Sequence, residues 1–205
     1  MKINLSKISQ IFFFVVVLPL LSVLLVSSLN FILQPLNHLW FYSYLDTIGI
    51  LGAYVFLYSQ FNSYVWDWWM FRFFRIVEVP NLSGRWRGDF ISSFNNTKMK
   101  SYLEIKQTFS KIEVFLYGIE SSSKSLIADF VELDNGDFEL HYEYHNEPYV
   151  NATKTMHGHD GVVKLRYFPK ERLLKGSYYN SSQHDRGHGG LLSFKLGSKN
   201  LKGGF

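Results

Sequence analysis

The chain has 205 residues, 47% of them hydrophobic, with 21 Lys and Arg against 17 Asp and Glu and no cysteine. A net charge of +4 is too mild for a general nucleic-acid coat, which needs a clustered basic face, so no DNA or RNA polymer is expected as a partner. The missing cysteines exclude a disulfide scaffold and a thiolate metal site, and they fit a reducing compartment.

Charge divides the chain. Ile8 to Leu45 contains no Asp, Glu, Lys or Arg, whereas 79–205 holds 17 Lys and Arg and 14 Asp and Glu. We place a membrane segment at 1–78 and a β-domain at 79–205. "IFFFVVVLPLLSVLLVSSL" (11–29) has 15 Leu, Ile, Phe or Val. As a helix it rises about 28 Å, close to the hydrocarbon thickness of a bilayer. It is longer than the apolar core of a signal peptide, and no small-residue cleavage site follows. After the turn "QPLNH" a second, less apolar span is expected at 41–61. It carries Asp46, near an interface, facing a partner helix or protonated, and Gly49 and Gly52, which would let helices approach.

Lys2 and Lys7 precede the first span, Arg72 and Arg75 follow the second, and the connecting turn has neither Lys nor Arg. The positive-inside rule then puts both termini in the cytoplasm. "WDWWMFRFFR" (66–75) suits an aromatic belt and a short interfacial helix.

From Gly84 onward, period-two runs alternate with turn signals. Strands are expected at 84–93, 99–109, 111–118, 124–133, 137–145, 161–168, 172–180 and 188–196. "LDNGD" (133–137) is the strongest hairpin signal. The fold class is an N-terminal two-helix transmembrane hairpin plus an all-β domain, an eight-stranded antiparallel up-and-down β-barrel, with an open sandwich as the alternative.

Parity assigns the faces. Phe138, Leu140, Tyr142 and Tyr144 share the inner face, as do Val163, Leu165 and Tyr167, and Leu192, Phe194 and Leu196. Trp86, Gly88 and Phe90 point inward, with Trp86 plugging one end and Gly88 leaving room beside it; Arg85, Arg87 and Asp89 point outward. Gln107 also falls inside, where its amide needs a partner, a core Tyr hydroxyl or a ligand edge. Interior tyrosines favour planar bases over an apolar lipid.

Histidines in "HGHD" (157–160) and "QHDRGH" (183–188) lack metal-ligand spacing, so neither a metal nor another cofactor is expected. There is no nucleophile elbow, P-loop or HExxH, and the serines of "SSSKS" (121–125) lack a base and an acid. A binding domain, not an enzyme, is expected. In "SSQHDRGHGG" (181–190), Arg186 offers a fork for phosphate and the glycines bare their N–H groups, or the segment is an exposed turn.

The order of parts, with "PNLSGRWRGDFISS", "IKQTFSKIEVFLYGIESSSKS" and "LKGSYYNSSQHDRGHGGLLSF", resembles the two-transmembrane β-barrel effectors of bacterial CBASS antiphage defence, the family of CD-NTase-associated protein fifteen. The resemblance implies a bacterial inner-membrane protein with a cytoplasmic barrel. A partner nucleotidyltransferase would act through its product, a cyclic dinucleotide. The barrel would bind it, the chain would self-associate, and the membrane would be disrupted, killing the cell. The expected ligand residues are Gln107, Tyr142, Tyr144 and Tyr178 for the bases and Asn180 and Arg186 for phosphate. The rival readings are a membrane-anchored, lipocalin-like carrier of an apolar ligand and a membrane-tethered docking barrel.

Overall fold

The computed structural model describes residues 5–36, 45–92, 97–152, 157–180 and 189–205. Arg186, His184 and His188 lie outside them, as does the side chain of Asp46. The chain divides into two compact units, Met1–Glu78 with Thr108–Ser110, and Val79–Gln107 with Lys111–Phe205.

The first unit is helical. Helix α1 (Leu5–Phe12) runs through a π-turn, Phe13–Val17, into α2 (Leu18–Leu33). Pro19 explains the turn. It has no N–H to donate back to the preceding turn, and the Leu18 N–H bonds the Phe13 carbonyl five residues back instead. The continuous rod Lys7–Leu33 is long and apolar enough to cross a membrane. It exposes large side chains such as Val15, Leu20, Leu24, Phe31 and Ile32, a surface suited to lipid and not to water.

The other arm of the expected hairpin is α3 (Leu45–Gln60) with a π-turn at Phe61–Val65. It packs on α2. Of the two expected small contacts, Gly49 is the one that meets α2: a Cβ there would lie 3.4 Å from Val26 Cγ1, whereas Gly52 has nothing within 4 Å. Among the described residues only Lys7–Leu33 passes as a spanning helix by length and composition; Asp46, Gln60 and Asn62 dilute the apolar run of the second arm. Of the expected two-helix transmembrane hairpin, the described residues show one such helix with a packed companion.

Helix α4 (Trp69–Phe73) follows. Trp66 is buried, but Trp68, Trp69, Phe73 and Phe74 are exposed, an aromatic surface of the kind that sits at headgroup level. Phe13, Phe14, Phe61 and Phe71 form an edge-packed cluster, which Phe109 completes against Phe14 and Phe61.

The second unit is a closed antiparallel barrel of eight strands in chain order. They are β1 (Gly84–Ser92), β2 (Lys98–Gln107), β3 (Ile112–Tyr117), β4 (Ser121–Glu132), β5 (Phe138–Pro148), β6 (His159–Phe168), β7 (Leu173–Asn180) and β8 (Gly189–Ser198). β1 pairs with both β2 and β8, so no edge is left open. "LDNGD" closes β4–β5 as expected: Gly136 takes φ 80°, and Leu133 and Asp137 close the loop through the Leu133 N–H.

Several strand boundaries differ from the sequence reading: β2 stops at Gln107, not 109, and β5 runs on to Pro148, not 145. β4 starts at Ser121, not 124, so the whole serine run is strand. Its register shifts between Ser125 and Ile127, and Ser125 Oγ accepts the Val114 N–H at 2.9 Å, standing in for a main-chain rung. β6 starts at His159, so part of "HGHDG" is ladder.

The inner faces are those parity assigned. Trp86, Leu103, Ile105, Leu140, Leu165 and Phe194 are almost wholly buried. Gly88 does leave room, but for β8: a Cβ there would fall 1.9 Å from the Ser193 carbonyl and 2.6 Å from the Phe194 ring.

Arg85 points out of the barrel and yet is 3% exposed. Its Nη1 donates to Glu104 Oε1 at 2.5 Å and to the Gly204 carbonyl at 2.6 Å. The N–H groups of Lys202 and Gly203 donate to the same carboxylate. The Arg85 guanidinium stacks 4.0 Å above Tyr102, whose other neighbour is the Phe205 ring. Residues 202–205 thus roof an ion pair on the outer wall of β1 and β2, something parity does not reveal.

Candidate functional site

The barrel has two unlike ends. The chain enters at Gly84 at the proximal end, which also carries the β2–β3, β4–β5 and β6–β7 connections. That end is plugged. Leu82 is 1% exposed and its carbonyl accepts Trp86 Nε1–H at 2.9 Å. Gln107 belongs to this plug. Its Oε1 accepts the Leu82 N–H at 2.8 Å and its Nε2 donates to the Pro80 carbonyl at 3.0 Å. The partner is neither a tyrosine nor a ligand edge but the main chain of 80–82, which crosses the barrel mouth without a ladder to satisfy it.

The distal end is polar inside. There the inward positions of the strands supply Ser101, Ser123, Tyr144, Asn146, Tyr178 and Asn180. Ser101, Ser123 and Asn146 are all buried. Three buried polar atoms of the interior, Ser101 Oγ, Tyr142 Oη and Asn146 Nδ2, have no hydrogen-bond partner among the described residues. Burying such groups without a partner costs about 1–3 kcal/mol each, so three inside one barrel, one on β2 and two on β5, are bonding capacity that the protein itself leaves unused.

The tyrosines are held by glycines. Tyr144 faces Gly161 across β5–β6, and Tyr178 faces Gly190 across β7–β8. A Cβ at Gly161 would meet Tyr144 Oη at 2.5 Å, and one at Gly190 would meet Tyr178 Cε1 at 2.6 Å. Each ring lies where the neighbouring strand has no side chain. Tyr142 and Tyr144 are 6.3 Å apart between centroids, Tyr144 and His159 6.2 Å, and Tyr178 stands edge-on to Phe90 at 6.2 Å. His159 Nδ1–H donates to the His157 carbonyl at 3.0 Å.

Burial holds the Tyr142 phenol far above its usual range, with Tyr144 adding to it. Burial also raises Tyr144, helped by Tyr178 and Asp160. Both phenols are therefore neutral donors at physiological pH. No carboxylate occupies the inward distal positions named above, but the Asp160 carboxylate lies close enough to act on Tyr144.

Four of the six sequence candidates, Tyr142, Tyr144, Tyr178 and Asn180, share the interior running to this end. Gln107 sits in the plug at the other. Arg186 lies outside the described residues; its flanking strand ends, Asn180 and Gly189, are both distal. Ser101, Asn146 and His159 were not singled out as ligand contacts. Continuing the parity from Leu103 back to 101 and from Tyr144 on to 146 finds the first two. Among the described residues no group of three His, Cys, Asp or Glu is placed to hold a metal ion.

A closed antiparallel barrel with one plugged apolar end and one polar, tyrosine-lined end is a small barrel of the kind wide enough for one small ligand. Residues 77–195 match the family described as Cap15, cyclic dinucleotide receptor domain, and the chain belongs to that family. It is 28% identical over 140 residues to the CD-NTase-associated protein 15 of Yersinia aleksiciae, covering 67% of this chain and 65% of that protein. With the CD-NTase-associated protein 15 of Staphylococcus schleiferi it shares 25% identity over 146 residues, 70% of this chain and 78% of that one. The match thus spans a little under two thirds of the first relative and over three quarters of the second.

Proposed function

We propose that the chain is a membrane-anchored effector of CBASS antiphage defence whose barrel binds a cyclic dinucleotide and performs no catalysis. The observation that carries this reading is the match of 77–195 to a cyclic dinucleotide receptor family, together with three unpartnered polar atoms inside the barrel. A partner nucleotidyltransferase supplies the signal through its product. Tyr144 and Tyr178 offer faces to the bases, Tyr142, Ser101 and Asn146 offer hydrogen bonds, and Asn180 and Arg186 take the phosphates. Bound ligand favours a self-associating state of the chain by its differential affinity for that state, and assembly of the helical segments in the bacterial inner membrane disrupts it. Both spans, with the termini cytoplasmic, belong to this reading, supported by Lys2, Lys7, Arg72 and Arg75 at the span ends.

The test is thermal melting of the full chain in detergent against a panel of cyclic dinucleotides. At a hundredfold excess over Kd a specific ligand adds about 2.7 kcal/mol, a clear upward shift that Arg186→Ala diminishes. No shift with any cyclic dinucleotide, from well-folded protein, overturns the reading. Co-purified lipid in its place indicates an apolar-ligand carrier.

A further inference from the structure

The outer wall of β6, β7, β8 and β1 carries a basic band with no carboxylate inside it. Lys164, Lys175, Lys195 and Arg87 are all exposed. Arg87 stands directly opposite Lys195. Lys195 is opposite Leu173 and therefore diagonal to Lys175, and Lys175, opposite Arg166, is diagonal to Lys164. None of the four is in an ion pair among the described residues. Arg166 is paired with Asp137. Like charges directly opposite one another across a strand pair destabilise the sheet. A wall that keeps Arg87 against Lys195 gains nothing from it by itself.

The band thickens toward the proximal end. The β6–β7 turn adds exposed Lys170 and Arg172, with exposed Glu171 between them, and exposed Lys199 follows β8. This is the end at which the chain enters the barrel, only five residues, 79–83, after Glu78 closes the helical unit. Asp89 and Asp160, the acidic residues of these four strands, sit toward the distal end and are paired with Lys98 and His145. The band ends at β5, the strand paired with β6, whose outer face alternates Glu139, His141, Glu143, His145 and Glu147. The basic side reaches the end at which the chain enters the barrel.

We infer that this basic wall is a docking face for an anionic lipid surface, the headgroups of the membrane that Lys7–Leu33 enters. The inference rests on the membrane-anchor part of the proposed function. The lipid phosphates neutralise the facing cations, which removes the repulsion between Arg87 and Lys195, and tethering to the bilayer raises the local concentration of headgroups available to the wall. The attraction is of the kind that juxtamembrane basic clusters make with acidic lipids.

The absence of native cysteine allows a clean test on the full chain. Ser193→Cys, exposed on β8 beside Lys175, and Asp129→Cys, exposed on β4 across the barrel from β8, are labelled singly with bimane. Each is placed in single-copy nanodiscs containing a headgroup-nitroxide lipid, with and without phosphatidylglycerol. The expected result is stronger quenching at 193 than at 129 in acidic discs only. It is lost in about 1 M salt, where the screening length shrinks to about 3 Å, and in Lys175→Glu/Lys195→Glu. The salt arm needs no charge variant and reads the wall if that variant fails to fold. Equal quenching at 193 in neutral and acidic discs overturns the proposal. So does a signal at 193 that appears only when discs hold several copies, which assigns the wall to a second chain. Co-elution with neutral discs reads the anchor separately. A chain that co-elutes while 193 stays unquenched sinks the wall and leaves the anchor; one that binds acidic discs alone supports the wall and sinks the anchor.

Discussion

Tyr144 lies against its cross-strand partner Gly161, with the position of a missing Cβ only 2.5 Å from its Oη and 2.6 Å from its Cζ. The glycine is the seat of the ring. Gly161→Ala therefore pushes Tyr144 out of place and also strikes the Tyr179 carbonyl at 2.6 Å. Overpacking of this kind costs about 1–3 kcal/mol. We expect Gly161→Ala to lower the urea midpoint of the full chain in detergent and to weaken cyclic dinucleotide binding. Gly161→Ala/Tyr144→Leu relieves the ring clash, so it recovers part of the stability but none of the affinity. Recovery of both would mean that the ring does not meet the ligand.

Tyr142 offers a cleaner separation of stability from binding. Its hydroxyl is buried and unpartnered among the described residues, so removing it takes away a desolvation cost and no hydrogen bond. Tyr142→Phe is expected to be neutral or stabilising without ligand and to weaken ligand binding by about tenfold, the worth of one hydrogen bond of about 1.4 kcal/mol. Calorimetric titration beside a thermal melt checks both. A destabilised variant with unchanged affinity would show that the hydroxyl is bonded within the barrel.

The closed topology was legible because each chain reversal carries its own chemistry. Asn135-Gly136 allows a positive φ only where a hairpin needs one, and strict parity on β5 sorts Leu140, Tyr142 and Tyr144 from Glu139, His141 and Glu143. What escaped was supplied by segments outside the ladder. Gln107 is bonded by 80–82, and Arg85 is covered by 202–205; neither segment has a period from which its position can be argued. The sequence reading opens β4 only at 124, yet the strand starts at Ser121 and the Oγ of Ser125 accepts the Val114 N–H of β3. The distal polar wall was half legible: the tyrosines were found, but Ser101 and Asn146 needed the same parity carried one step beyond the apolar residues.

Gln107 tests whether the plug and the ligand site are separate. Gln107→Leu keeps the volume but leaves the Leu82 N–H and the Pro80 carbonyl without partners. The expected loss is about 1–3 kcal/mol in unfolding free energy, with the ligand affinity of the folded protein unchanged. A tenfold loss of affinity would return Gln107 to the ligand site.

Glu104 makes the stability of the barrel depend on pH. Burial alone would raise its carboxyl pKa, but the Lys202 N–H, the Arg85 guanidinium and the Gly203 N–H outweigh that and leave it below the ordinary value of 4.5. A depressed carboxyl binds fewer protons folded than unfolded. Its contribution is therefore complete above about pH 4.5 and drains away as pH falls through the lowered folded value. Glu104→Gln leaves the Arg85 cation buried without a counter-charge, and at neutral pH it should cost about 3 kcal/mol or more. Because the variant cannot titrate at 104, the gap between it and the parent should narrow as pH is lowered through the acid range. Replacing both partners, as Arg85→Met/Glu104→Leu, should recover most of the loss at pH 7, since a buried pair removed whole is far less costly than one broken. Urea midpoints of the three proteins at neutral and acid pH decide it. A gap that stays constant with pH would mean that Glu104 contributes packing and not charge.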